Sequence, residues 1–428
     1  MKKLIKLIFI LLVLFLLGYF IYTNYINAIP KLNVEEEKAK VTDYHVYGNH
    51  LNIAGELEIT DKNYKDIKII LYNGKEKTYD ITTSIEDTKI IFNTSEYLNE
   101  GIYLDNIEKG KYYMFIKVTY ENDDNTAKNK EINKYYILNN GTSYKDLTYY
   151  TLSKYNKKII INTDNDYSTI GLTIKENKDD NIYDITIDPG HGGMDSGAVV
   201  DKKEEKDYTM AISTKIKNNL EKNGIKVKMT HTENQLTKND YFDEYNKNGR
   251  AVIPNEVKSK YTFSIHINQN NSSKASGIEV YTPDNINYEF AKSLADNLSK
   301  NTSFNYSNAK KYKMYNGVYT HTFSQNEISN SLEGYKKKDY KPYNITKTSN
   351  YLYMIRETGG YMTGAYVDNS NPEKVGTNPY YNSNIGNESY LLELGYLSNK
   401  NDQSILDKEE DKIAEVVANT IIEELSKQ

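Results

Sequence analysis

Three residues at the ends of apolar runs are of the kinds that carry out hydrolytic chemistry. His191 follows the strand-like run Asn181 to Ile187, His266 lies in YTFSIHIN, and Glu393 lies in LLELGYL. Glu204 and Glu205 stand just before DYTMAISTKIKNNLEKNG, a run with apolar residues at helical spacing. Two neutral imidazoles and a carboxylate make a three-ligand zinc site with an open position for water. A further carboxylate that binds no metal can then act as general base. The chain has no cysteine, which excludes thiolate sites and disulfides and leaves His, Asp and Glu to hold any metal. Each residue also has a structural alternative: a hydrogen-bonded turn histidine for His191, a satisfied core histidine for His266, and a buried salt bridge for Glu393. The last is the most telling, because an acid inside an apolar run is costly to bury without a partner or a task.

The elements that must position these residues follow from periodicity. The stretch TIDPGHGGMDSGAVV places Gly190, Gly192, Gly193 and Gly197 around His191, which describes an abrupt turn whose backbone approaches something closely. A helix is predicted to end at Asn223-Gly224, followed by a strand over IKVKMT, a helix around Tyr245 to Lys258 and the strand YTFSIHIN. A helix from about Tyr288 to Lys300, the strand SYLLELGYL and a helix from about Glu409 to Leu425 complete residues 181–428. Alternating strands and helices predict an α/β domain, a twisted and largely parallel sheet flanked by helices. Ligands bind such sheets at the carboxyl ends of the strands, where His191, His266 and Glu393 converge with Glu204 and Glu205.

DPGHGGMDSGA, EKD, the Arg250 to Asn255 segment, SIHIN and LLELGYLSN occur in the order and spacing of the motifs of zinc-dependent N-acetylmuramoyl-L-alanine amidases of the amidase-3 type. From about Tyr183 to the last residue the chain resembles that family. The resemblance implies a peptidoglycan hydrolase that cleaves the amide between N-acetylmuramic acid and L-alanine. It implies Zn2+ held by His191, Glu205 and His266, and Glu393 as the catalytic glutamate; Glu204 is the adjacent alternative to Glu205. The sequence departs from the family pattern at Thr230-His231, where Thr-Arg is usual, and at Ile267, where a small residue is usual. The alternatives are a catalytically inactive wall-binding or regulatory protein, or another zinc hydrolase of the envelope, a peptidase or deacetylase. No protein activator can be named. The chain has only two arginines, Arg250 and Arg356, each read as either a structural ion pair or a substrate contact.

The rest of the chain is read by composition. With 428 residues, 38% hydrophobic and 26% charged, there is room for two or three globular domains. A net charge of -5 argues against nucleic acid as a partner, and the short run Lys336-Lys337-Lys338 reads as solvated surface. Lys2, Lys3 and Lys6 precede an apolar run from Leu7 to Tyr22 with no small-x-small cleavage site after it. Residues 1–30 are therefore predicted to be a cytoplasmic tail and transmembrane signal-anchor helix, with the remainder on the outer face of the cell membrane. The alternative is secretion after signal-peptide cleavage.

Residues 41–178 hold Ile-, Tyr- and Val-rich runs broken by turn residues, such as HLNIAGELEI, KYYMFIKVTY and KIIINTD. They predict an all-β, Ig-like sandwich, and without a converging acid, base or metal cluster it is read as a spacer or docking module with no part in the reaction. Finally, Gly359 to Asn387 has the composition of a long loop, whose tyrosines either border the groove or pack away from it.

Overall fold

The computed structural model describes residues 29, 31–61, 63–121, 131–139, 146–232, 249–283, 285–310, 314–320 and 385–427. The predicted anchor, Arg356 and residues 359–384 of the predicted loop lie outside them. Among the described residues no helix is long and apolar enough to cross a membrane.

Twelve strands are described in the amino-terminal module. They are β1 (Lys38–Tyr47), β2 (His50–Glu58), β3 (Tyr64–Tyr72), β4 (Glu76–Asp80), β5 (Thr82–Glu86), β6 (Lys89–Asn93), β7 (Ile102–Tyr103), β8 (Gly110–Tyr120), β9 (Ile132–Asn139), β10 (Leu147–Tyr150), β11 (Lys157–Thr163) and β12 (Ile170–Glu176). The module is all-β, as expected, but its strands join one continuous sheet instead of the two separate sheets of an Ig-like sandwich. The cause is β8, eleven residues long, which pairs with β3 along one edge and with β9 and then β12 along the other. Alternation along the shared strands buries both faces: Ile69, Leu71, Met114 and Ile116 belong to one apolar cluster, Ile70, Tyr72 and Phe115 to another.

The second domain contains β13 (Ile185–Pro189), the hairpin β14 (Val199–Val200) and β15 (Lys203–Glu204), α1 (Glu205–Lys222), β16 (Val227–Met229), α2 (Ile253–Glu256), β17 (Tyr261–Asn268), β18 (Glu279–Tyr281), α3 (Glu289–Asn301), β19 (Val318–Tyr319), β20 (Ile385–Gly386), β21 (Glu388–Tyr396) and α4 (Lys400–Lys427). Its six-stranded sheet has the order β16-β13-β17-β21-β18-β19. The sheet is mixed: β18 runs antiparallel to β21 and the other pairings are parallel. Two predicted helices differ in extent. The one expected over Tyr245 to Lys258 has, among its described residues, a single turn, with Pro254 in it and Lys258 beyond it at a φ of 58°. The last helix starts at Lys400 instead of Glu409, where a non-helical residue kinks it.

The strands alternate up to the bulge that follows His266 and Glu393, and this decides where chemistry can sit. Ile185, Ile187, Phe263, Ile265, Leu392 and Leu394 face the apolar core formed with α1, α3 and α4. The intervening Thr186, Asp188, Thr262, Ser264, His266, Ser389 and Glu393 therefore share the opposite face. That polar face is internally satisfied near its middle, with Thr186 bonded to Ser259 at 2.8 Å and Thr262 donating to Asn387 at 2.6 Å. The module docks at the amino ends of the same strands. There β20 pairs with β1, and Tyr47, Leu98 and Leu152 of the module enter the core of the second domain. The module is thus packed against the α/β domain, not merely joined to it by a linker.

Candidate functional site

His191 sits at a φ of 63°, a left-handed conformation that a non-glycine residue holds only when its surroundings over-determine it. Here they do. Gly190 N–H donates to Ile265 at 2.7 Å, Thr209 donates to Gly190 O at 2.6 Å, and His191 Nδ1 meets Asp195 Oδ2 at 2.7 Å. The glycines around it are required by close approach. A Cβ on Gly190 would lie 2.5 Å from the His266 ring, and one on Gly197 would lie 2.5 Å from His191 and 2.7 Å from Glu205.

Glu205 opens α1 at the end of the β14–β15 hairpin, and two backbone N–H groups fix its carboxylate. Ala198 donates to Oε2 at 3.0 Å and Ile267 to Oε1 at 2.9 Å. The same oxygens face His191 Nε2 at 3.2 Å and His266 Nδ1 at 3.1 Å. His191, Glu205 and His266 each bring one donor atom to within 4.8 Å of the others. The neighbouring Glu204 turns away to Lys206, at 2.9 Å. Of the two glutamates left open by the sequence, the structure thus brings Glu205 to the histidines.

Charge follows this geometry. Burial alone would raise the Glu205 pKa, but His191 and His266 hold it well below the usual carboxylate range. Burial opposes a charge on His191 too, yet Asp195 and Glu205 raise its pKa to about 10. Burial lowers that of His266 despite Glu205.

Glu393 pairs with His266 across adjacent strands, placing it on the same face at the carboxyl edge. A bulge follows in the register of β17 and β21, a device that re-aims side chains at strand ends. Glu393 Oε2 and His266 Nε2 are buried without a hydrogen-bond partner among the described residues. Burial, then the charges of Glu205 and Glu279, push the Glu393 carboxyl well above its ordinary pKa.

A family model described as N-acetylmuramoyl-L-alanine amidase matches residues 185–423. The chain belongs to this amidase family. Among its relatives, the probable cell wall amidase LytH of Staphylococcus aureus is 35% identical over 100 residues, covering 23% of this chain and 30% of that protein. The chain thus matches about a third of the length of that relative. Among solved structures, the N-acetylmuramoyl-L-alanine amidase AmiC2 of Nostoc punctiforme is 21% identical, covering 56% of this chain and 96% of that one, with a TM-score of 0.36. Cwp6 from Clostridium difficile is 20% identical over 56% of this chain and 29% of that one, with a TM-score of 0.38.

Arg250, the described member of the arginine pair, is a buried structural partner. Its Nε and Nη2 donate to Asp188 at 2.7 and 2.8 Å, and Thr230 and Ser264 add bonds of 2.7 Å each. This fixes the strand end from which the His191 turn departs. The two departures from the family pattern spare the cluster: Ile267 serves through its backbone N–H, and His231 is buried beside Thr230 at 3.0 Å. Sequence reasoning missed Asp195 and Glu279. Glu279 carried a signal, an acid inside the apolar run GIEVY, the same that singled out Glu393.

Proposed function

We propose that this chain is a zinc-dependent N-acetylmuramoyl-L-alanine amidase that hydrolyses the amide between N-acetylmuramic acid and the L-alanine of the stem peptide. The observation that carries the reading is the convergence of His191, Glu205 and His266 beside Glu393 at the carboxyl edge of the sheet, in a chain of this family. The donor set fits zinc, two imidazoles and one carboxylate, with His191 Nε2 and His266 Nδ1 both turned to the oxygens of Glu205. When bound, zinc supplies Lewis acidity that polarises the scissile carbonyl and brings the pKa of water to about 7.

The chain's own residues do the rest. Glu205 is clamped by Ala198 and Ile267, so it cannot swing away from the histidines, and Asp195 fixes the ring of His191. Glu393 accepts a proton from the attacking water as its oxygen bonds to the amide carbon. It then delivers that proton to the alanine nitrogen as the C–N bond breaks, since an amine leaves poorly unprotonated. The products are a lactyl carboxylic acid on the glycan and a free stem-peptide amine.

The lysines before the apolar run Leu7 to Tyr22 support an anchor that holds this activity outside the cell membrane, against peptidoglycan. Recovery of the chain in carbonate-washed membranes tests the anchor; recovery in the medium, shortened, indicates cleavage instead. The activity is tested by digesting purified peptidoglycan and identifying the new ends by mass spectrometry. Free L-alanine amino termini are expected, while new ends within the stem peptide or lost acetyl groups would overturn the reading. One zinc per chain is expected by elemental analysis of the wild type and none in His191→Ala.

A further inference from the structure

The sheet face that carries the cluster continues past Glu393 to a second buried acid. Glu279 on β18 pairs with Glu393 on β21. It is fully buried and richly bonded: it accepts from Tyr281 at 2.6 Å, Ser307 at 2.7 Å and Asn268 at 3.2 Å, and also from the Tyr396 hydroxyl. These four bonds match the roughly four acceptor sites of a carboxylate. Above this group stands Lys310. Its ammonium bonds the Tyr281 hydroxyl, lies 4.7 Å from the centre of that ring and 3.6 Å from Glu279, with its side chain 43% exposed.

Glu279 does not need Lys310 for its hydrogen bonds, and an ammonium has three donors to place. The lysine is instead held by Glu279 and Tyr281 at the open side of the face, where its charge acts on Glu393. On the β18 side of the face Lys310 is a cation beside the carboxyl groups of Glu279 and Glu393, while His191 and Arg250 stand with Asp195, Glu205 and Asp188 on the β13 side. An anionic peptide would be repelled unless a cation received it, because like charges brought together across an interface cost binding energy.

We propose that Lys310, held by Glu279 and Tyr281, is a specificity-determining residue that binds a carboxylate of the stem peptide next to the scissile amide. This rests on the amidase reading, in which the departing L-alanine is followed by a residue carrying a free carboxylate or its amide. The lysine therefore discriminates between those two forms of the substrate.

The test uses the zinc-loaded full chain, with N-acetylmuramoyl-L-alanyl-D-glutamate and its D-glutamine counterpart as substrates. Binding of the two free dipeptides is followed in parallel by calorimetry. Lys310→Met is expected to raise KM for the acid about tenfold, the scale of one charge-assisted contact, with kcat changed by less than about twofold and a smaller effect on the amide. Lys310→Arg should recover most of the loss. Equal KM values for wild type and Lys310→Met on the acid, or an equal loss on both substrates, would overturn the proposal. If the wild type cleaves neither substrate, the amidase reading fails. Selective loss of acidic-dipeptide binding in Lys310→Met would then still support the subsite, and unchanged binding would overturn it as well.

Discussion

The two ends of the second domain's strands treat buried polar groups in opposite ways. At the amino ends, beside the module, such groups are partnered. Asp184 accepts from Ser153 N and Oγ at 2.5 Å each and from Lys226 at 2.9 Å, and Glu388 accepts from Asn99 at 3.0 Å and from the Tyr390 hydroxyl. Lys260, buried with them, donates to Lys258 O at 2.7 Å. At the carboxyl ends, His266 Nε2 and Glu393 Oε2 have no hydrogen-bond partner among the described residues. Buried polar atoms are nearly always satisfied, so the satisfied end reads as scaffold and the unsatisfied end as a place kept ready for something to bind. Changes at the first should then cost stability with little effect on the chemistry of the folded fraction, and changes at the second the reverse.

The largest test of that division removes the module. Tyr47, Leu98 and Leu152 sit in the core of the second domain. A chain beginning at Asn181 would expose their contacts and lose about 5 kcal/mol or more, at roughly 1.5–3 kcal/mol for each large apolar side chain. Urea unfolding should show such a chain largely unfolded under conditions where the full chain is native. An undiminished midpoint would make the module a mere spacer.

At the other end the prediction concerns rate. Glu393→Gln is nearly isosteric but takes no proton, and should lower kcat by about a hundred- to ten-thousand-fold, the usual worth of a general base. Zinc content should stay at the wild-type value, and the unfolding midpoint should not fall. A zinc-loaded Glu393→Gln protein with near-normal turnover would place the base elsewhere.

The two ends also differ in how far the sequence discloses them. His191, His266 and Glu393 are legible because each lies at the end of an apolar run, and parallel strands bring such ends together. The choice between Glu204 and Glu205 is not legible. It depends on where α1 begins relative to the hairpin before it, set by the backbone bond from Glu205 N to Ala198 O at 2.9 Å. The amino end is almost illegible. Asn99 and Glu388 are partners 289 residues apart, and Ser153 and Asp184 belong to different domains, so no local pattern pairs them. The same holds for the continuous sheet of the module, where the runs are local but the pairings of β8 are not.

Asn99 offers a smaller and cleaner probe of the junction. It bonds both backbone groups of Asn287, at 2.7 and 2.9 Å, and the carboxyl of Glu388. Asn99→Ala should cost about 2 kcal/mol, since partly buried partners lose their bonds together. Turnover of the folded fraction should be unchanged. A fall in kcat without loss of stability would show that the junction tunes the distant edge.

The smallest effect expected is also the most specific, because it has a sign that changes with pH. Burial raises the Glu388 pKa from 4.5 to about 7, despite the bonds from Tyr390 and Asn99. Between those values the folded chain holds a proton that the unfolded chain has lost, so this group's contribution to stability falls as pH rises from 4.5 to 7 and is level above. The difference of about 2.5 in pKa, at about 1.4 kcal/mol for each unit, sets an upper bound of about 3.5 kcal/mol. Glu388→Gln carries no titrating proton, but its amide N–H group must be buried in place of a carboxyl oxygen, which offsets part of the gain. The variant should match the wild type or fall slightly below it near pH 4.5 and exceed it by about 1 kcal/mol near pH 8, read from urea midpoints across that range. Parallel curves for the two proteins would mean that Glu388 titrates as an ordinary carboxylate. The amino end would then carry a buried charge that its partners fully satisfy.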